Sequence, residues 1–407
     1  MKDGAEVIAK PLAQIINLSI ATRKFPKDCK TAKVKPLYKK GSRTEPQNYR
    51  PISLLPVISK IFEKIIHKQT QTFLNTNKLL FEYQSGFREN YSTDTCLSHL
   101  NNTFLSGFDK GKSTGLVSID LQKAFDCLDY QFVFKKMKFP GFQSSVIDWF
   151  DSYLKDRSFF ISLGKTYSDP GLLGCGVPQG SILGPLLFLI YVNDIPQAIK
   201  KCNIRLYADD TCIFHTHKDL KEIENALNED FSNLCEWFVT NKLSIHLGED
   251  KTKCILFSKK KTDEQLNICN KSAKIKQHKT IDYLGCILDN NLTGEHMVLK
   301  VLNKVNNKLK FLYRQSEHLN PQLRRMLCNA LLQPHFDYAC TSWYPLIKKC
   351  YKQKLQVAQN KCIRFCLGLP NRAHIGNYEF KKINCLPVEK RVKQCFAVGA
   401  FKYWKDI

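Results

Sequence analysis

A chain of 407 residues, 43% hydrophobic and 24% charged, is excluded from the disordered class and has room for two or three domains with a sizeable core. Lys and Arg number 62 against 37 Asp and Glu, and the resulting net charge of +25 favours a polyanionic partner, nucleic acid ahead of an anionic membrane surface. A membrane span needs about 18 uninterrupted apolar residues. The best run, 182–192, is shorter and contains Gly184 and Pro185.

The 17 cysteines are odd in number and form no dense framework, and Met1-Lys2-Asp3-Gly4 begins no secretory leader. They read as reduced, mostly buried thiols of an intracellular protein, with nucleus and cytoplasm left undistinguished. Cys362 and Cys366, with His374 nearby, lack the spacing and the second cysteine pair of a zinc site; they read as buried positions on an amphipathic helix.

In chain order, Ile8, Leu12, Ile15, Ile16 and Leu18 predict a helix over 5–21 despite Pro11. Residues 32–41 read as a strand running into a basic turn, and 48–55 as the strand returning from it. Ile61, Phe62, Ile65, Ile66, Phe73 and Leu74 have helical spacing within 59–80. The polar, glycine-bearing stretch 84–93 has little to bury and is expected to touch a partner. Ser92-Thr93-Asp94 then caps a helix carrying Leu97, Leu100 and Phe104. Residues 115–119 form a short apolar strand ending on Asp120, and a helix start is expected over 121–126. Helices follow within 134–160 and a hairpin within 162–174. Residues 176–185 pack three glycines and two prolines ahead of an apolar helix, a composition that lets backbone approach a ligand beside a helix N-terminus.

Residues 204–214 set Asp209 and Asp210 between two β-prone apolar runs, the pattern of a hairpin with acids at its tip. An isolated acid pair is ordinarily an Asp-rich turn. If the strand ending at Asp120 lies beside this hairpin, three carboxylates converge at one end of a sheet, where they repel unless divalent cations neutralise them. Two-metal phosphoryl transfer needs such a triad, with cations about 3.5–4 Å apart. A helix is expected over 220–243. From residue 296 the chain is helical and basic: Lys300, Lys304 and Lys308 share one face, opposite Val301, Val305, Leu309 and Leu312.

Asp120 with Phe125 five residues on, Gly176-Val177-Pro178-Gln179-Gly180-Ser181 and Tyr207-Ala208-Asp209-Asp210 resemble motifs A, B and C of reverse transcriptases. Asn48-Tyr49-Arg50-Pro51-Ile52-Ser53, Gln84-Ser85-Gly86-Phe87-Arg88, Lys123-Ala124-Phe125-Asp126 and Tyr283-Leu284-Gly285 resemble words of the non-LTR, LINE-type retrotransposons, the jockey-like group in particular. Each word alone is weak, but their joint occurrence in the family's order is very specific. The resemblance implies an α+β right-hand polymerase with fingers, a palm built on an antiparallel sheet, and an α-helical thumb. Along the chain it implies an N-terminal helical extension over 1–30, fingers and palm over 31–290, and a basic helical thumb and tail over 291–407.

The implied function is RNA-directed DNA polymerase activity: extension of a DNA primer 3′-OH with dNTPs on an RNA template, without membrane attachment. Asp120, Asp209 and Asp210 would hold two Mg²⁺, with Mn²⁺ the alternative ion. Lys251 matches the general acid for the leaving pyrophosphate, although Gly248-Glu249-Asp250 departs from the family's usual loop and leaves its course open. Lys40 and Arg50 match the cations that grip the incoming triphosphate. Phe125 would lie beneath the sugar and reject a ribose 2′-OH; Gln179 and Gly180 would border the nascent base pair, and Tyr207 belongs to the substrate side of motif C. Arg88 matches a template-backbone contact, Tyr283, Leu284 and Gly285 the primer-grip hairpin, and Lys300, Lys304 and Lys308 a phosphate-tracking thumb face. Asp126 reads as a helix-start or hydrogen-bonding residue rather than a metal ligand.

Two other readings stay open. A truncated or domesticated product would bind RNA without polymerising it, and an RNA-dependent RNA polymerase is the third reading, against which Phe125 speaks. Both ends look cut relative to jockey-like elements, which carry an apurinic-type endonuclease upstream, and no RNase H domain is evident. The oligomeric state is not legible.

Overall fold

The computed structural model describes residues 4–249, 251–259, 264–270 and 273–405; Met1-Lys2-Asp3, Asp250 of the departing loop and the last two residues lie outside them. The chain divides into two compact units, each assembled from three stretches. The first comprises Met1–Phe87, Asp120–Lys200 and Asp230–His246, and the second Arg88–Ile119, Lys201–Glu229 and Leu247–Ile407. The three consecutive segments expected from the sequence therefore run across the units, which interleave along the chain.

The first unit is built on a sheet in which Thr31–Tyr38 pairs antiparallel with Tyr49–Leu54 and parallel with Arg157–Leu163. Two short strands, Thr166–Tyr167 and Gly171–Leu173, pair with Arg157–Leu163. Helices Ala5–Thr22, Val57–Thr76, Tyr130–Lys138, Ser144–Leu154 and Leu183–Val192 belong to the same unit. Aromatic packing knits part of its core: the Phe25 ring meets Phe62, Trp149 and Tyr153 edge-on at 5.8, 5.6 and 5.1 Å between centroids. Leu183–Val192 is apolar all round, and nine of its ten residues are buried, as such a helix requires. Among the described residues no helix is long and apolar enough to cross a membrane.

Period-two alternation organises the second unit. Its four-stranded antiparallel sheet has the order Lys253–Phe257, Ser113–Ile119, Asp210–His217, Asn203–Tyr207. Leu116, Cys212, Phe214, Ile255 and Phe257 turn one face into a continuous core with the helix Thr93–Asp109, the hairpin Thr280–Tyr283/Cys286–Asp289 and the C-terminal helices as far as Val392. On the other face a Cβ at Gly115 would lie 2.5 Å from Ile223 and 2.7 Å from Leu227, so glycine there admits a close approach of helix to strand. The expected cap is present: the Ser92 side chain accepts from Thr95 N, and Thr95 Oγ1 accepts from Ser92 N. Glu295–Arg314 buries Val301, Val305, Leu309 and Leu312 as the periodicity requires. Ten of the 17 cysteines are buried, Cys362 and Cys366 among them, and each of the 17 is a free thiol.

Candidate active site

The end of the second unit's sheet carries the motif C hairpin. Tyr207 pairs with Asp210, leaving Ala208 and Asp209 as a two-residue turn. Ala208 has φ 56°, where the first turn position of a tight hairpin favours glycine; this is local strain at the acid-bearing tip. Ile119 pairs with Thr211 at the same end, and Lys253 with Ser118. Lys251 lies in the turn before Lys253, its amide donating to Gly248 O at 2.9 Å. Asp209, Asp210 and Lys251 are half-buried, and so is Asp120, the residue after Ile119. Tyr207 packs against the core; burial first, then nearby Tyr338, Cys96 and Asp210, raise its pKa.

In the first unit motif A and motif B are sewn together by backbone. Gly176 N donates to Leu128 O at 2.8 Å and Val177 N to Phe125 O at 3.0 Å. These bonds take carbonyls that a helix would have used, so the helix start expected over 121–126 is instead a short strand, Leu121–Gln122, paired with Ser244–Ile245 and followed by a 3₁₀ turn, Ala124–Asp126. A Cβ on Gly176 (φ 74°) would lie 2.6 Å from Asp126 O. Asp126 is a hydrogen-bonding residue, as expected: its Oδ1 accepts from Gln179 Nε2 at 2.9 Å. Gln179 O accepts from Ser53 N at 2.7 Å, and a Cβ on Gly180 (φ 117°) would meet Ser53 O at 2.8 Å. The half-buried Phe125 ring lies 4.7 Å from Phe188 and 6.0 Å from Phe87 between centroids.

Lys40 and Arg50 are exposed at the Thr31–Tyr38/Tyr49–Leu54 hairpin, where Arg50 pairs with Leu37. The connecting loop is ordered by its own polar groups, Tyr38 Oη donating to Gly41 O and Tyr49 Oη to Arg43 O.

Three expectations need correction. Gln84, Ser85 and Gly86 are buried rather than presented to a partner, because local bonding, such as Gly86 N to Gln84 Oε1 at 2.8 Å, lets the polar turn enter the interior. Arg88 beyond them stacks its guanidinium over Tyr91 at 4.4 Å. Tyr283 is 3% exposed, with its hydroxyl accepting from Cys212 Sγ, so its ring is a core group and only Leu284 and Gly285 of that turn remain for a ligand. Those two are braced by Tyr338 Oη donating to Leu284 O at 2.6 Å and by Lys300 Nζ donating to Gly285 O at 2.9 Å. Lys300 is also ion-paired with Asp282 at 2.5 Å, which removes it from the free basic face; Lys304 and Lys308 stay exposed. Burial, then Lys308 and Lys304, hold the pKa of His335 below its usual value.

Sequence reasoning missed Glu63. Fully buried, it accepts from Ile182 N (2.6 Å), Leu183 N (3.3 Å) and Ser59 Oγ (3.1 Å), capping the helix behind motif B. The signal was an acid at helical spacing among Ser59, Phe62 and Ile66, inside the buried stripe.

For a metal, the donor set offers hard carboxylate oxygens and no soft ligand. Among the described residues no group of three or more His, Cys, Asp or Glu forms a ready cage. Mg²⁺ fits such a place without one, since it keeps waters and takes one or two carboxylates together with substrate phosphate oxygens.

Residues 37–288 match the family described as reverse transcriptase (RNA-dependent DNA polymerase). The probable RNA-directed DNA polymerase from transposon BS of Drosophila melanogaster is 28% identical over 396 residues, 94% of this chain and 43% of that protein. The corresponding protein of transposon X-element is 26% identical over 87% of this chain and 39% of its own length, and that of mobile element jockey 26% identical over 88% and 40%, both from the same fly. This chain thus spans about two-fifths of the relatives it matches. With motifs A, B and C in order on an α+β fold and the family match running through all three, the chain belongs to the reverse transcriptase family, in the non-LTR retrotransposon branch that its motif words resemble.

Proposed function

We propose that this chain is an RNA-directed DNA polymerase that extends a primer 3′-OH with dNTPs on an RNA template, Asp120, Asp209 and Asp210 being the ligands of two Mg²⁺. The observation that carries this reading is register: Ile119, just before Asp120, pairs with Thr211, just after Asp210. The Lys253–Ser118 pair brings the turn that holds Lys251 to the same end of the second unit's sheet. Packing gives no reason to gather like charges at one sheet edge, whereas phosphoryl transfer does. The relatives' names as RNA-directed DNA polymerases support the same reading.

When bound, the cations would neutralise charge developing on the transferred phosphoryl group and favour the deprotonated primer hydroxyl. The chain's own groups do the rest. Arg50 and Lys40 bind triphosphate oxygens, the guanidinium as a fork and the ammonium as a point charge. Phe125 excludes a 2′-OH, and the Gln179–Gly180 backbone borders the new base pair. Lys251 Nζ donates the proton to the leaving pyrophosphate.

The test is primer extension with an RNA template, a DNA primer, dNTPs and Mg²⁺. Extension should occur, stop on chelation, and fall below about one-hundredth of wild type in Asp209→Ala. Wild-type extension by that variant defeats the metal assignment. Salt-dependent RNA binding without incorporation under any divalent ion identifies an RNA-binding protein instead.

A further inference from the structure

In the second unit the short helices Gln333–Asp337 and Cys340–Trp343 both pack against the helix Val388–Lys405. Arg391 forks onto Asp337, Nε donating to Oδ1 at 3.2 Å and Nη2 to Oδ2 at 3.0 Å. A bidentate pair of this kind fixes orientation as well as distance. Cys395 lies one turn beyond Arg391 on the same helix face, and Cys340 lies three residues beyond Asp337. Trp343 Nε1, donating to Tyr338 O at 2.9 Å, braces the link between Asp337 and Cys340. The fork therefore gathers two thiols: Cys340 belongs to the core, Cys395 packs against that core, and the two side chains interact directly. Their exposure differs, Cys340 being 1% exposed and Cys395 half-buried. Burial, and then the Cys395 thiol, push the Cys340 pKa up, so the inner sulfur stays protonated while the outer one meets solutes. Val392 is the last buried residue of this helix, and residues 396–401 are all exposed, Phe396 and Phe401 among them.

We infer that Cys340 and Cys395 form a redox-modification site, a dithiol that a small-molecule disulfide of the glutathione class converts into a disulfide latch between Val388–Lys405 and the body of the second unit. The Cys395 thiolate attacks one sulfur of the small disulfide, whose S–S bond breaks and releases one thiol. The Cys340 sulfur, its proton passing to solvent, then attacks the Cys395 sulfur of the mixed disulfide and expels the second thiol. Two electrons and two protons pass from the cysteine pair to the small disulfide, and a reducing thiol reverses the exchange. The new bond forms where the helix last touches the core, so it tethers the half that packing leaves uncovered. The site uses none of the proposed polymerase residues and stands without that reading.

The full chain is equilibrated with reduced or oxidised glutathione, digested with chymotrypsin and mapped by mass spectrometry; cleavage at Tyr338 separates Cys328 from Cys340. The oxidised protein should yield a peptide linking Cys340 to Cys395 that dithiothreitol removes. In Cys340→Ser, Cys395 should instead keep a glutathione adduct, because the resolving thiol is gone. By hydrogen exchange, the amides of residues 388–395 should slow at least about tenfold on oxidation of the wild type, and not on oxidation of Cys395→Ser. Absence of the linked peptide from folded, oxidised wild type overturns the inference, as does a glutathione adduct on Cys340 in place of Cys395. A linked peptide with unchanged exchange rejects the latch. Should Cys340→Ser fail to fold in a thermal melt, the comparison of wild type with Cys395→Ser decides.

Discussion

Phe125 has two duties that pull on one ring. It packs against Phe188 and Phe87, which makes it part of the first unit's structure, and it lies five residues beyond Asp120, where the family reading calls for a steric gate. The duties separate under substitution. Phe125→Val should cost about 1–3 kcal/mol by denaturant unfolding, from lost aromatic contact and a partly filled void. Independently, it should lower the dNTP/rNTP selectivity of primer extension at least about tenfold. Loss of stability with unchanged selectivity would leave Phe125 a packing residue and reject the gate.

At the scale of elements, the helix behind motif B depends on a side chain from a distant helix. Glu63, itself fully buried, takes the part-buried Ile182 amide and the buried Leu183 amide. Glu63→Ala should therefore cost about 2–4 kcal/mol in urea unfolding, since it strands a buried and a part-buried donor; Glu63→Gln, which keeps an acceptor without the charge, should cost roughly half as much. An equal, small loss in both would assign Glu63 a packing role only. Helices with an amphipathic stripe, such as Val57–Thr76 and Glu295–Arg314, were legible because burial of one face is a local, periodic demand. The Ser92 cap was legible for the same reason, all of its partners lying within three residues. What failed was decided at long range. Residues 121–126 read as a helix start until Val177 claims the Phe125 carbonyl, and Tyr283 reads as part of the primer-grip hairpin until Cys212 on another strand meets its hydroxyl. Within the candidate site the acids were legible as types in a pattern, whereas the Glu63 cap required knowing which helix it faced.

For the whole molecule the dominant fact is the charge of +25, and its consequence is salt dependence. A protein that neutralises six or more phosphates should lose at least about a thousandfold in template–primer affinity between roughly 50 and 200 mM salt, through released counterions. The lysines of Glu295–Arg314 should not contribute equally. Lys304 is exposed, so Lys304→Ala should reduce the log–log salt slope by about 0.7–0.9 while leaving stability nearly unchanged. Lys300 is already held by Asp282 and the Gly285 carbonyl, so it gains little by meeting a phosphate and releases no counterion there. Lys300→Ala should leave the slope unchanged and instead loosen the Leu284–Gly285 turn; because Asp282 is largely exposed, the loss from the ion pair itself stays under about 1 kcal/mol. Fluorescence-anisotropy titrations of both variants over a salt series distinguish the two roles. An equal fall in slope for both lysines would mean that Lys300 abandons Asp282 for the nucleic acid, and the division of this helix into a braced and a free cation would have to be given up.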